Sequence, residues 1–149
     1  MHQFLYLMKT ISELPKNKKI VLFDGVCNFC NSSVLKIIKN DKKNVFLFAS
    51  LQSEIGKQVT KHFSIDTAKV DSIVLVESET NFSIKSTAAL KILKEFNGLW
   101  ILAQVFWIVP NFIRYYFYNY IAKNRYKWFG KKDSCMIPSP NITSKFLDT

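Results

Sequence analysis

The chain has 149 residues, 48% of them hydrophobic, a net charge of +10 and three cysteines, which excludes a disordered, collagenous or disulfide-stapled protein and leaves room for one domain with a proper core. Four Gly and four Pro supply no low-complexity linker, and no repeat is visible. All but two of the 21 basic residues are lysines, a charge that attracts acidic surfaces at long range more than it grips phosphates in a fork.

Residues 1–17 are predicted to precede the core as an extension, with a strand over Phe4–Met8. That apolar run is too short for a signal peptide's core and lacks a basic start. With an odd cysteine count and no export signal expected, a reducing compartment follows, taken as the cytoplasm. Ile20–Phe23 reads as a strand ending at the turn pair Asp24-Gly25. Beyond it Val34, Leu35, Ile37 and Ile38 recur at helical spacing, so a helix begins at the cysteines and ends near Asn40-Asp41. Val45–Ala49 is a second buried strand, which makes a parallel crossover with the first.

Ser50 is expected to cap a helix through His62, with Leu51, Ile55, Val59 and Phe63 on one stripe. His62, a lone histidine at a helix end, suits the surface or the dipole's carbonyl end better than a metal. Ile73–Val76 forms a third strand, turned by residues 78–81 into Phe82–Ile84 as a hairpin. Ser86 is expected to cap a helix over Thr87–Phe96, stopped by Asn97-Gly98. The element order is β-α-β-α-β-β-α.

Leu99–Ala122 is dense in apolar and aromatic residues. Its uninterrupted run to Val109 is only half of what a span needs, and Pro110 and Arg114 follow, so two packed helices covering the sheet and the cysteine loop are expected. Contact with a membrane surface is the weaker alternative. The basic, aromatic stretch 123–132 is read as a solvated helix end anchored by its aromatics, in preference to a nucleic-acid site. Beyond Pro140 the chain is expected to fray.

Cys27 and Cys30 sit at the first turn of the first helix, where unpaired amides and the positive dipole end stabilise a thiolate. Three residues apart, they share a face and can join with little backbone movement. The chemistry predicted is dithiol-disulfide exchange, with Cys27 attacking a partner's disulfide and Cys30 resolving the mixed disulfide. The same pair could serve as half of a zinc site, with Cys135, His62 and His2 scattered singly as the other candidates. Asp24 either holds the turn and helix start or moves the proton that Cys30 exchanges, the former being favoured. Gly25 is read as supplying backbone freedom at the turn.

Asp24-Gly-Val-Cys27-Asn-Phe-Cys30 resembles the D-G-x-C-x-x-C signature of the Asp-Cys-Cys (DCC) family of predicted thiol-disulfide oxidoreductases. Further blocks resemble the family in its own order: 71–76, Lys85-Ser86 with Ala88-Ala89-Leu90, Ile113-Arg114, Tyr118, 124–126, Phe129-Gly130 and 135–138. The resemblance implies a thioredoxin-like α/β fold with additional C-terminal helices. It is read as one domain over 1–149, comprising the extension 1–17, an aromatic helical part 99–130 and a tail 140–149. It also implies Cys27, Cys30 and Asp24 as catalytic residues, and Gly25, Asp71, Ser72, Arg125 and Cys135 as substrate-binding candidates.

Asp71 and Ser72 stand where thioredoxins carry a cis-proline facing the cysteines. Ser72 would line the site in its stead. Cys135 either approaches the site or is a buried apolar thiol, the latter favoured. No metal or nucleotide cofactor is implied. The partners are a protein disulfide or small thiol and a cellular reductant. The rival readings are a non-enzymatic interaction module whose cysteines clasp or bind zinc, and a glutaredoxin-like enzyme using glutathione.

Overall fold

In the computed structural model, the described residues are 17–67, 73–78, 80–131 and 140–147, together with His2, Leu5, Lys9 and Ser12. The elements are β1 (Lys19–Phe23), α1 (Asn28–Asn40), β2 (Phe46–Ser50), α2 (Glu54–His62), β3 (Val74–Ser78), β4 (Asn81–Ile84) and α3 (Lys85–Lys94), followed by a 3-10 helix (Gly98–Ile108), α4 (Asn111–Phe129) and a short 3-10 turn (Thr143–Lys145). The four strands form one mixed sheet in the order β2-β1-β3-β4, consistent with a thioredoxin-like α/β fold. β1 runs parallel to β2 and antiparallel to β3, and β3 and β4 form the hairpin.

β1 lies inside the sheet and has helices on both faces, which is why its sequence is a continuous apolar run and not an alternating one. Val21 and Phe23 meet Val34 and Ile37 of α1 and Ala88 and Ile92 of α3. Ile20 and Leu22 face the other way, onto Val59 of α2 with Ile55 and Phe63 beside it. The carboxyl end of β1 therefore opens in the middle of the sheet, and Asp24 is the first residue past it.

Several boundaries differ from expectation for a physical reason. Ser50 does not cap α2: it pairs with Phe23 as the last residue of β2. The cap is Ser53, whose hydroxyl accepts from the Gly56 amide at 3.0 Å. Likewise Ser86 does not cap α3. The Lys85 amide donates to the Ile73 carbonyl at 3.2 Å, so the β4 ladder runs directly into the helix and leaves no turn for a cap. Of the N-terminal stretch, Leu5 is helical, against the strand expected over Phe4–Met8, whose remaining residues lie outside the described ones.

Where fraying was expected past Pro140, Phe146 is buried between Phe23 and Phe48, at ring distances of 6.1 and 5.7 Å. The Leu147 amide donates to the Phe48 carbonyl at 2.8 Å, fixing this segment beside β2. The stretch after α3 also departs from two packed helices. The first part is a 3-10 helix with no buried residue, begun at Gly98, whose φ of +77° suits glycine. Only α4 is α-helical, and it packs on α1 and α3. No helix among the described residues is long and apolar enough to cross a membrane.

Candidate functional site

The site forms where the end of β1, the start of α1 and the last turns of α4 meet. Cys27 is the N-cap of α1, and its Sγ accepts from the Cys30 amide at 3.2 Å. The Cys27 amide in turn donates to the Asp24 carbonyl at 3.3 Å. Cys27 is fully buried and Cys30 partly exposed, so the sulfur that the sequence singles out as the attacking one is the more enclosed of the two.

The cover over Cys27 comes from the far end of the chain. Lys131 forms an isolated antiparallel bridge with Cys27, the Asn28 side-chain amide donates to the Phe129 carbonyl at 3.0 Å, and the rings of Phe29 and Phe129 lie 4.9 Å apart. Gly130 makes this close approach feasible. Its φ is +86°, and a Cβ there would stand 3.0 Å from the Asn28 amide nitrogen.

Asp24 is buried and saturated with donors. Its Oδ2 accepts from Nη2 of Arg125 at 2.9 Å and from the Tyr126 hydroxyl. Its Oδ1 accepts from Nε2 of Gln52 at 2.8 Å and from the Val26 amide at 3.2 Å. The Val26 bond is the turn-holding role expected of Asp24; the ion pair with Arg125 is an additional one. Arg125 reaches onward, with Nη1 3.7 Å from Sγ of Cys30. One guanidinium thus links the carboxylate to the second sulfur.

Burial, and after it the hydrogen bond with Cys27, pushes the Cys30 thiol well above its ordinary range, with the Arg125 charge acting in the opposite sense. Burial and the hydrogen bond to Asp24 likewise push the Tyr126 hydroxyl up. Cys30 therefore holds its proton firmly until something stabilises its anion.

Gly25 is gripped through its backbone: its amide donates to Gln52 at 3.0 Å and its carbonyl accepts from Asn31 at 2.9 Å. It does not adopt a positive φ, which corrects the reading of Gly25 as a source of conformational freedom. Gln52 and Asn31 are missed by motif reasoning. Both are implicit in the geometry, since β2 ends level with β1 and Asn31 lies one turn after Cys27. Asp71, Ser72 and Cys135 lie outside the described residues. Ile73, which follows Ser72, lines an apolar cleft of about 280 Å³ beside Cys30 and Asp24, together with Phe29, Ile37, Phe96 and Trp100. Among the described residues no group of three or more His, Cys, Asp or Glu is placed to hold a metal.

The DCC1-like thiol-disulfide oxidoreductase family model matches residues 21–131, a range that contains the two cysteines, Asp24 and Arg125. The chain is 46% identical to the uncharacterized protein YuxK of Bacillus subtilis over 93% of its own length and 98% of that protein. It is 38% identical to a chloroplastic DCC family protein of Arabidopsis thaliana over 87% of its length and 76% of that protein. No solved structure matches it. With the family match spanning the whole of the cysteine site, the chain belongs to the DCC1-like thiol-disulfide oxidoreductase family.

Proposed function

We propose that the protein exchanges its dithiol for the disulfide of a protein or small-thiol partner. The observation that carries this reading is the amide of Cys30 pointing at the sulfur of Cys27 across the first turn of α1, 3.2 Å away: a donor fixed in place before charge develops needs no reorganisation when it does. In the first step the Cys27 thiolate attacks one sulfur of the partner's disulfide, forming a mixed disulfide and releasing a thiolate that takes up a proton. Cys30 then loses its proton and attacks Sγ of Cys27, and the second partner sulfur leaves. The protein's two thiols become a disulfide while the partner's disulfide becomes two thiols, and a cellular thiol reductant reverses the change on the protein.

Asp24 serves this cycle as a positioning residue. Held by four donors, its carboxylate fixes Arg125 so that the guanidinium can stabilise the Cys30 anion at the resolving step. The apolar cleft beside Cys30 would receive an apolar side chain of the partner. The cytoplasm is the compartment we propose, on the odd cysteine count.

Access favours a second order of events at one point, because Cys30 faces the cleft and Cys27 does not. Trapping separates the two. If Cys27 attacks first, Cys30→Ser accumulates mixed disulfides in its own cells and Cys27→Ser does not; if Cys30 attacks first, the pattern reverses. Should neither variant trap a partner, and should oxidation never join residues 27 and 30, the exchange reading fails. Stoichiometric zinc lost with either substitution would then point to the metal clip, and saturable dependence of turnover on glutathione would point to the glutaredoxin-like alternative.

A further inference from the structure

A second cavity, of about 360 Å³, lies between α3, the 3-10 helix and α4, away from the cysteines. Its walls are mostly apolar, from Leu90, Phe106, Ile113, Phe117 and Ile121, and three polar side chains join them, Ser86, Arg114 and Tyr118. Phe106, Phe117 and Ile121 are themselves 59%, 61% and 43% exposed, so the cavity opens onto an apolar face of the protein.

Among the described residues that line it, none carries a charge opposite to that of Arg114. Arg114 is 7% exposed. Its Nε donates to the Val109 carbonyl at 3.1 Å and Nη2 donates to Oδ1 of Asn111, while the guanidinium lies 4.9 Å from the Trp107 ring centroid. All three partners are uncharged. Nη1 of Arg114 and Oγ of Ser86 are both buried with no hydrogen-bond partner. No Asp or Glu occurs between Glu95 and Asp133 in the sequence, so this whole segment supplies no counter-ion of its own. A buried charge without an opposite charge is costly, and a buried donor without an acceptor adds to that cost. Arg125, on the same helix, has Asp24.

We propose that this cavity binds an anionic amphiphile, a carboxylate or phosphate at the end of an apolar chain, with the anion on Arg114 and Ser86 and the chain along the apolar walls. The shared chemistry has two sources, a free fatty acid and an anionic lipid presented by a bilayer. The mouth suits either, since Phe106 and Phe117 in its walls are exposed, as is Trp107, which stacks on Arg114, and an indole ring with its polar N–H favours the water–lipid boundary.

The test uses the full-length protein and decanoate below its micelle concentration, with decanamide as the neutral isostere. Binding is read by tryptophan fluorescence, because Trp107 stacks on Arg114, and by calorimetry. Decanoate binds at least about tenfold more tightly than decanamide, the range of a charge-assisted hydrogen bond; Arg114→Gln abolishes that preference and Arg114→Lys keeps part of it. Ile121→Glu, at the exposed rim, weakens decanoate more than decanamide and guards against a folding defect in the Arg114 variants. Equal binding of the two probes, no binding of either, or a preference that survives Arg114→Gln overturns the proposal.

Vesicles of phosphatidylcholine with and without phosphatidylglycerol distinguish the sources. Sedimentation with the anionic vesicles alone, competed by decanoate, assigns the bilayer; binding of decanoate without sedimentation assigns the free amphiphile. The variant lacking both thiols, Cys27→Ser with Cys30→Ser, binds decanoate like the parent, so the cavity and the exchange reading stand or fall separately.

Discussion

Replacing Arg125 by Met tests whether the site is built around its buried ion pair. The Arg125 and Asp24 side chains are only 3% and 5% exposed and 2.9 Å apart. Removing one partner of such a pair costs about 3–5 kcal/mol, because the other charge stays buried. Three donors to Asp24 remain, from Tyr126, Gln52 and Val26, which places the cost at the lower end, about 3 kcal/mol. For a chain of this length that is a fall in Tm of about 6–12 °C. Asp24→Asn combined with Arg125→Met removes both charges of this pair, so the two changes together cost less than the sum of the two by at least about 1 kcal/mol.

Thermal and urea unfolding measure both quantities. A second readout separates positioning from bulk stability: in a Cys27→Ser background, Arg125→Met slows alkylation of Cys30 at a fixed pH, and Arg125→Lys slows it less. A Tm within 2 °C of the parent (below about 1 kcal/mol), strict additivity, or unchanged alkylation would refute the reasoning.

Three further outcomes follow from other parts of the structure. Phe146→Ala, which empties a ring site between Phe23 and Phe48, costs about 3–5 kcal/mol in urea unfolding; a loss under about 1 kcal/mol would mean that the C-terminal segment does not seal the core. Gly130→Ala strains a positive φ and crowds the Asn28 amide, costing about 1–2 kcal/mol and loosening the cover. It should therefore speed native-state alkylation of Cys27, and an unchanged rate would show that the 129–131 segment is not what limits access. The third concerns pH. The Cys30 thiol is raised from an ordinary value of 9.0, so above about pH 9 the unfolded chain has released a proton that the folded chain still holds. The unfolded state then binds fewer protons and stability falls as pH rises, by at most about 1.4 kcal/mol per unit from this group. Tm measured from pH 8 to 11 shows the decline, and Cys30→Ala makes it shallower; an identical slope in that variant would count against the burial of Cys30.

The sheet and the cysteine turn were legible because local pattern and tertiary role agree there. Ile20–Phe23 is apolar throughout since it is covered on both faces, and Val34 and Ile37 repeat at helical spacing since one side of α1 meets the sheet. Boundaries failed where a tertiary constraint outranked a local preference. Both Ser50 and Ser53 can cap a helix, and only the register of β2 against Phe23 decides between them. Gln52, Asn31 and the backbone of Phe129 enter the site through long-range geometry. Arg125 came from the resemblance, because nothing local in a residue 101 positions from Asp24 reveals their pairing.

The helix that does form in the aromatic stretch, α4, has an inverted polarity. A surface helix normally turns its apolar stripe inward. In α4 the buried residues are Arg114 and Arg125, while Phe112, Tyr116, Phe117, Tyr120 and Ile121 are exposed. The two arginines are eleven residues apart, about three turns at 3.6 residues each, and so share one face. Each inward cation of such a helix is costly unless it is paired, since unpaired burial is what the low-dielectric interior penalises most. Arg125 finds its anion at the end of β1 and in doing so links Asp24 to Cys30. Among the described residues, Arg114 finds only carbonyl and amide oxygens and the face of an indole. By the same electrostatic logic, one half of α4 is completed by the protein's own carboxylate and the other half by an anion from outside.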